Sequence, residues 1–474
     1  MKLRTSILYI LTTGFAMAAR AEVKLPAFFS NNMVMQQNTQ CNLWGTADAN
    51  KTVRIKTSWN KKTYQVKSDK DGKWKLQVST PKAGGPFSMT FNDGQETRID
   101  SILIGELWIC SGQSNMEMPI KGFKNQPVEG ATQAMLRGKN NQIRLFTVGR
   151  KASIEPLSDV KGHWTPATPE AIREFSATAF FYGQILQEQL GVPVGLLVTA
   201  WGGSACEAWN TGEWLKAFPQ VKLPKSQAEV DKTKQRCPTA LYNGMLHPLV
   251  GLTMAGVIWY QGEDNWPRYS YYSDLFAGMV KGWREVWQQG NFPFYYCQIA
   301  PYNYELITAA SQDTINSALL REQQMKAETM IPNCGMAVLL DAGLETGIHP
   351  MKKQVAGERL ARLALSKTYG VGGITAESPR YNHIEVSNDT VTVFFDHADM
   401  WINCRGKFTS DNFEVAGADR VFHPAKAWIS RSKMLVKSEK VAHPVAVRYG
   451  FKDWVVGDVF SDDLPLSSFR SDNW

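Results

Sequence analysis

The spacing of hydrophobic positions divides residues 22–474 into three parts, and the first is typical of short strands. Between residues 22 and 100, apolar and polar positions alternate in "TVRIKTSW", "TYQVKS" and "KWKLQV". The segments "DKDG" and "NDGQ" supply turns between them. Alternation with a period of two, interrupted by such turns, predicts antiparallel strands. We therefore expect a small N-terminal β-sandwich over residues 22–100.

The second part, residues 101–372, alternates continuous apolar runs with helical periodicity. The runs "SILIGELWICSG", "PVGLLVTAWGGS" and "LTMAGVIWYQGE" fit strands of a sheet covered on both faces. Between and after them, "ATAFFYGQILQEQLG" and "SYYSDLFAGMVKGWREVW" fit helices, the first capped by Ser176 and ended by Gly191. Strands that alternate with helices predict a doubly wound parallel α/β sheet.

From residue 373 onward, short alternating segments return, such as "TVTVFF" and "PVAVRYGF". They predict a second β-rich region over residues 373–474, packed on the α/β domain. The chain shows no internal repeat with a period of 20–50 residues and no low-complexity tract.

The first 21 residues have the layout of a signal peptide. Lys2 and Arg4 form a basic start, an apolar stretch follows, and Ala19-Arg20-Ala21 provides a small-x-small cleavage site. No later stretch reaches the ~18 uninterrupted apolar residues of a membrane span. We expect an exported protein, periplasmic or at the cell surface, without membrane insertion.

The charge and the cysteine content limit the classes of function that the sequence supports. The formal charge is +8, and its basic residues are scattered rather than gathered in a tract, which gives no support to nucleic-acid binding. The seven cysteines are an odd number and lack the spacing of zinc ligands. We expect buried free thiols or one disulfide, for instance Cys206 with Cys237.

Candidate chemistry gathers where the apolar strands end. "SGQSNM", "AWGGS" and "YQGED" follow three of them, and "GIHPMKKQ" places His349 ahead of a periodic helix. The carboxyl ends of parallel strands meet at one edge of a sheet, where ligands collect. A serine hydroxyl becomes a nucleophile only when a base takes its proton and donors stabilise the oxyanion. Each motif alone is weak, but their convergence on one edge predicts a serine hydrolase site.

The ordered blocks "GQSNM", "WGGS", "WYQGE" and "IHP…K…VAGERLA" resemble those of the bacterial sialate O-acetylesterases, which are SGNH hydrolases. The start "LPAFFSNNMVMQQ" and the end "LPLSSFRSDNW" are similar to that family as well. The resemblance covers nearly the whole chain after residue 21. It implies an SGNH-type α/β/α sandwich with a parallel sheet, flanked by N-terminal and C-terminal β-rich regions, with no metal and no organic cofactor.

Carried over by position, the resemblance implies a role for each motif. Ser114 is the nucleophile, and its own N–H contributes to the oxyanion hole. Gly203, more than Gly202, supplies a second N–H, and Gln261 donates its side-chain amide. His349 is the general base and then the general acid toward the leaving sugar hydroxyl.

The acid that supports the histidine departs from the family pattern. Many relatives carry an aspartate two or three residues before this histidine, where the present chain has Gly347 and Thr346. Without it, the imidazolium formed during attack loses the group that fixes its tautomer and stabilises its charge. Glu263 is our first choice as substitute, with Glu345 and Asp341 as alternatives. A Ser–His dyad helped by a backbone carbonyl, or a weakened enzyme, remains a further alternative.

These features predict an exported carbohydrate esterase that removes O-acetyl groups from sialic acids through a serine acyl-enzyme. The alternatives are an acetylesterase for xylan or other plant or host glycans, and a non-catalytic glycan-binding relative. We predict substrate contacts from Gln113 and Asn115 in the serine turn and from Trp209 and Asn243 farther along. The partner is O-acetylated sialic acid or another acetylated glycan, and the oligomeric state stays open.

Overall fold

The computed structural model describes residues 22–307, 316–399 and 401–474. The predicted signal peptide, residues 1–21, lies outside the described residues.

The N-terminal region is built from seven strands, as its alternating pattern predicts. Val53 and Ile55 are buried while the polar residues between them face solvent. β3 pairs with β4 and β6, β6 pairs with β7, and β2 pairs with β5, all antiparallel, whereas β1 lies parallel to β7. The strands are β1 (Val34–Gln36), β2 (Gln40–Thr46), β3 (Thr52–Thr57), β4 (Thr63–Lys67), β5 (Lys73–Ser79), β6 (Gly84–Asn92) and β7 (Glu96–Gly112).

The long strand β7 belongs to two parts of the molecule. Its first half pairs with β6, and its second half lies at the centre of the α/β sheet. Ser101 has a φ of 59°, and the register with β6 shifts nearby, which is how a strand bends from one sheet into the next. The boundary predicted at residue 100 therefore falls inside a continuous strand.

In the described part of the α/β region there are eight α-helices and six further strands. They are α1 (Ser114–Glu117), α2 (Ala131–Arg137), β8 (Asn140–Thr147), β9 (Trp164–Ala167), α3 (Pro169–Glu174), α4 (Ala177–Leu190), β10 (Val194–Ala200), α5 (Gln227–Thr233), β11 (Gly256–Tyr260), α6 (Tyr272–Trp287), β12 (Phe294–Cys297), α7 (Ala318–Met330), β13 (Cys334–Ala337) and α8 (Lys353–Lys367). The sheet order is β13-β12-β11-β7-β10-β8-β9, and every pair is parallel except β8 with β9.

Both faces of this sheet are buried, which explains the continuous apolar runs. Along β7, Leu107 and Ile109 enter one core together with residues of α6 and α7. Trp108 and Cys110 enter the other core, against α4 and α8. The predicted doubly wound parallel sheet is thus present, with its central strands β7, β10 and β11 ending on the same edge.

Helices α4 and α8 lie close together beneath the site. Ser176 caps α4 by accepting the Ala179 N–H at 3.1 Å, and Gly191 ends it, as predicted. A Cβ at Gly357 would lie 2.8 Å from the Thr178 carbonyl oxygen, so only glycine permits this approach of α8 to α4.

The C-terminal region is the predicted β-rich part. Seven of its strands form an antiparallel sheet in the order β14-β15-β19-β18-β17-β20-β23. The strands are β14 (Arg380–Ser387), β15 (Thr390–Asp396), β16 (Ile402–Asn403), β17 (Thr409–Ala416), β18 (Phe422–Ser430), β19 (Lys433–Lys437), β20 (Ala446–Tyr449), β21 (Phe460–Ser461), β22 (Leu464–Pro465) and β23 (Phe469–Arg470).

The cysteines are buried free thiols, and the alternative of a Cys206–Cys237 disulfide is not realised. Burial raises the pKa of the Cys206 thiol well above its usual value, which favours the inert neutral form. Across residues 22–307, 316–399 and 401–474, no helix combines the length and hydrophobicity needed to cross a membrane.

Candidate active site

The serine turn is fixed by glycine at the end of β7. Gly112 has a φ of 137°, and a Cβ there would lie 2.2 Å from the Tyr260 carbonyl oxygen at the end of β11. The next N–H, of Gln113, donates to that same carbonyl at 2.9 Å. Ser114 then opens the short helix α1 with 8% of its surface exposed. The turn thus lifts Ser114 out of the sheet while the strand ends stay close-packed.

The glycine turn after β10 lies directly against Ser114. A Cβ at Gly202 would be 3.2 Å from the Ser114 Cβ. The Gly202 N–H donates to Glu117 Oε2 at 2.7 Å. Gly203 has a φ of 71°, and its N–H has no hydrogen-bond partner among the described residues. This geometry favours Gly203 over Gly202 as a donor to an oxyanion, in line with the sequence-based preference.

His349 is half-buried and held by an amide where a carboxylate is usual. Its Nδ1–H donates to Gln126 Oε1 at 2.6 Å, and the Phe123 ring meets the imidazole edge to face. This tautomer leaves the lone pair on Nε2, the nitrogen that a general base uses. Burial, and then the positive charge of Lys353, lower the pKa of His349 to about 4. The imidazole is therefore neutral at neutral pH.

Asn115 joins the serine turn to the histidine loop. Its side-chain Nδ2 donates to Glu263 Oε1 and, at 3.1 Å, to the Ile348 carbonyl oxygen. Its Oδ1 accepts a hydrogen bond from Lys353 Nζ at 2.6 Å, and the same Nζ donates to the Pro350 carbonyl at 2.9 Å. The carbonyls on both sides of His349 are thus held by one buried network. We call Asn115, Glu263 and Lys353 the buried brace.

The charges of the buried brace are far from ordinary surface charges. Lys353 is 1% exposed, and desolvation lowers its pKa to about 7 although the Glu263 carboxylate opposes the shift. Burial raises the pKa of Glu263 above its usual value, and its Oε2 has no hydrogen-bond partner among the described residues. Two opposite charges buried near each other require fixed geometry, because each is costly without its partner.

Comparison with known proteins agrees with this arrangement. The family model for "Carbohydrate esterase, sialic acid-specific acetylesterase" matches residues 104–365, which is more than half of the chain. The chain belongs to this family. The prediction that it is a carbohydrate esterase is confirmed.

Individual relatives extend the likeness beyond that segment. The Homo sapiens sialate O-acetylesterase is 30% identical over 405 residues, covering 77% of this chain and 74% of that protein. The Mus musculus sialate O-acetylesterase is 25% identical over 510 residues, covering 94% and 93%. The crystal structure of a carbohydrate acetylesterase from Xanthomonas citri superposes with a TM-score of 0.86 at 33% identity, covering 96% of this esterase and 100% of that chain. The predicted α/β/α sandwich with a parallel sheet, flanked by N-terminal and C-terminal β-rich regions, is confirmed.

The three predicted acids have different surroundings in this esterase. Glu263 bonds Asn115, and among the described residues it makes no hydrogen bond to His349, so any support it gives is indirect. Asp341 is engaged by both Arg359 and Arg405. Glu345 is exposed on the surface. Among the described residues, the side chain that contacts His349 Nδ1 is the amide of Gln126 and not one of the three predicted acids.

Gln261 does not have the geometry expected of an oxyanion donor. Its side chain is fully buried, and Nε2 donates to the Ser204 carbonyl at 3.1 Å and to Asn265 Oδ1 at 2.7 Å. Its Oε1 accepts from the Tyr272 hydroxyl at 2.9 Å. Since an amide nitrogen has two protons, none is left for an oxyanion in this conformation. Gln261 instead joins the turn after β10 to the turn after β11.

The four residues predicted to contact the substrate also make hydrogen bonds within the protein. Trp209 is fully buried, with Nε1 donating to Ser204 Oγ, so it has no free face for a sugar. Asn243 Nδ2 donates to the carbonyls of the 153–154 segment. Gln113 Oε1 accepts N–H groups of the turn after β11, and Asn115 belongs to the buried brace. The polar groups of all four side chains are therefore engaged within the protein in this conformation.

Sequence reasoning missed several residues that hold the serine turn and the histidine loop. Lys353 stands next to Lys352 in "MKKQ", and nothing in that pair says which lysine is buried. Gln126 lies in the polar loop "KGFKNQPVEG", which has no periodicity. Glu117 lies three residues after Ser114, the spacing of neighbours on one helical turn, and this signal could have been used.

Proposed function

We propose that this esterase is exported and removes O-acetyl groups from sialic acids through an acetyl-enzyme on Ser114. The main support is the meeting of Ser114, the Gly202–Gly203 turn and the histidine loop at one sheet edge. The Gly202 Cβ position lies 3.2 Å from that of Ser114, and Asn115 ties the turn to Ile348, which precedes His349. The sialate O-acetylesterases among the relatives support the substrate.

In the first half-reaction, His349 Nε2 takes the hydroxyl proton while Ser114 Oγ attacks the acetyl carbonyl carbon. The oxyanion of the tetrahedral intermediate accepts the N–H groups of Ser114 and Gly203. The carbon–oxygen bond to the sugar then breaks, and His349 gives its proton to the departing sugar oxygen. The acetyl group remains on Ser114.

In the second half-reaction, water attacks the acetyl carbon and His349 takes the proton of that water. Collapse of the second tetrahedral intermediate releases acetate, and the proton returns to Ser114 Oγ. The Gln126 amide holds the His349 tautomer in both steps but brings no negative charge. A neutral partner and a pKa of about 4 make His349 a weak base that is always unprotonated at neutral pH.

Acetate release tests the reaction and the substrate together. Wild type, Ser114→Ala and Ser111→Ala are compared on 9-O-acetylated sialic acid and on acetylated xylan. Ser111 is the matched control, because its buried hydroxyl donates to the Thr199 carbonyl at 2.7 Å and serves the turn alone. We expect release from the sialic acid, a loss of about 10⁴-fold in Ser114→Ala and near-normal kcat in Ser111→Ala. Release of acetate from acetylated xylan alone would contradict the proposed substrate but not the proposed acetyl-enzyme mechanism.

Export is tested on the protein secreted by its own cells. Cleavage after Ala21 predicts a mature chain that begins at Glu22. N-terminal sequencing of the cell-free or periplasmic fraction checks this. An intact N-terminus in the cytoplasmic fraction would contradict it.

A further inference from the structure

An ion pair that shares no residue with the buried brace lies next to the serine turn. The Glu117 carboxylate uses Oε2 to accept the Gly202 N–H and Oε1 to accept Arg150 Nε at 2.6 Å. Glu117 is three residues after Ser114 in α1, and Gly202 is in contact with the Ser114 side chain. The Arg150 guanidinium is therefore connected to the serine turn through the Glu117 carboxylate.

The Arg150 guanidinium is held in one orientation but, among the described residues, still has free hydrogen-bond donors. Its Cζ lies 5.7 Å from the ring centroid of Trp201, within the range of a cation–π contact. The Arg150 side chain is 54% exposed, whereas that of Glu117 is 16% exposed. Arg150 Nε holds the carboxylate, and Nη1 and Nη2 make no hydrogen bond with any described residue. Two donor groups of an oriented guanidinium thus remain available near the serine turn, to which Glu117 connects it.

These donors suit a carboxylate. The planar guanidinium presents parallel N–H bonds that match the two oxygens of a carboxylate, and such charge-assisted pairs are stronger than neutral hydrogen bonds. A sialic acid carries a carboxylate on its sugar ring, whereas acetylated xylan sugars are neutral. We propose that Arg150 binds the carboxylate of the acetylated sialic acid and so sets the preference for an acidic sugar. This inference rests on the proposed function.

A different role for Arg150 makes a different prediction. If Arg150 only held Glu117, and Glu117 only held the Gly202 turn, its loss would slow every ester to the same extent. If Arg150 binds the carboxylate, the loss is larger for substrates that carry one. The comparison of charged and neutral substrates therefore separates recognition from support of the turn.

The test uses 9-O-acetylated sialic acid and the same compound with its carboxylate replaced by the neutral carboxamide. Acetate release is measured for wild type, Arg150→Gln, Arg150→Lys and Lys151→Gln. The neighbouring Lys151 is exposed, so Lys151→Gln is a control that removes one positive charge and leaves the Arg150 guanidinium in place.

We expect wild type to prefer the acid over the carboxamide by about 10- to 100-fold in kcat/KM, the range of a hydrogen-bonded charge. In Arg150→Gln this ratio should fall toward one, mainly through a higher KM for the acid. Arg150→Lys keeps the positive charge but loses the paired N–H groups of the guanidinium. Its ratio should therefore lie between those of wild type and Arg150→Gln. Lys151→Gln should keep the wild-type ratio.

Equal losses on both substrates in Arg150→Gln, or a wild-type ratio near one, would overturn the proposal. If wild type released acetate from acetylated xylan but from neither sialic compound, the proposed substrate would fail instead. The two failures are therefore distinguishable.

Discussion

Two side-chain networks contact the serine turn, and they are built from similar residue types in opposite environments. On the histidine side, Asn115, Glu263 and Lys353 are at most 4% exposed and bond one another or the backbone. In the second network, Arg150 is 54% exposed and keeps two donor groups without hydrogen bonds to described residues. The buried side determines where the catalytic groups stand, and the exposed side retains donors for a ligand.

Solvent explains this division of roles. A buried charge whose partner is removed keeps its full desolvation cost, so a buried network permits one arrangement and holds it. An exposed ion pair is screened by water and contributes little to stability, so its donors can change partner at low cost. We therefore expect substitutions on the buried side to lower kcat and substitutions on the exposed side to raise KM.

The largest effect beyond that of Ser114→Ala is expected for His349→Ala. Without the base, the Ser114 proton has no acceptor, and kcat should fall by about 10²- to 10⁴-fold. His247→Gln is the matched control, because His247 Nδ1 contacts the Leu157 carbonyl at 2.8 Å in a separate loop. Steady-state acetate release checks both variants. A similar kcat in His349→Ala and wild type would remove His349 from the mechanism.

Lys353→Met should have the next largest effect. It removes the donor that holds Asn115 Oδ1 and the Pro350 carbonyl, so kcat should fall by about 10- to 100-fold while KM changes little. The positive charge of Lys353 lowers the pKa of His349, so its removal should also move the acidic limb of kcat/KM upward from about pH 4. A merely structural lysine would leave that limb in place. The adjacent Lys352→Met is the control.

Gln126→Glu should have the smallest effect on rate and a clear effect on pH dependence. A carboxylate in place of the amide at His349 Nδ1 favours the protonated imidazole and raises its pKa above about 4. The base becomes stronger, so we expect a several-fold rise in kcat at neutral pH and an acidic limb at higher pH. The pH profile of kcat/KM measures the shift. A profile identical to wild type would mean that Gln126 does not touch the working histidine.

The strand-end turns could be predicted because hydrophobic runs mark where strands stop. The run before Cys110, the turn at Gly202 and the turn at Gly262 meet in the structure as the parallel sheet requires. Side-chain partners could not be predicted in this way. Gln261 has the residue type of an oxyanion donor, yet its two protons are taken by Ser204 and Asn265.

The burial of single residues in irregular segments could not be predicted from the sequence either. Trp209 and Trp214 lie in one loop, and only the structure shows that Trp209 is fully buried while Trp214 is partly exposed. Such segments lack the periodicity that relates a position to a face. For the same reason the role of Gln126 could not be predicted. It depends on a loop that brings Gln126 Oε1 to 2.6 Å from His349 Nδ1.

The most direct test of the account is to locate the acetyl group on the enzyme. His349→Ala and wild type are mixed with excess 9-O-acetylated sialic acid, quenched in acid during the first turnovers, digested and mapped by mass spectrometry. The account predicts an acetyl group on the peptide that contains Ser114 in wild type, and far less of it in His349→Ala. Acetate release by wild type with no acetyl group on Ser114, or with one on another residue, would contradict it.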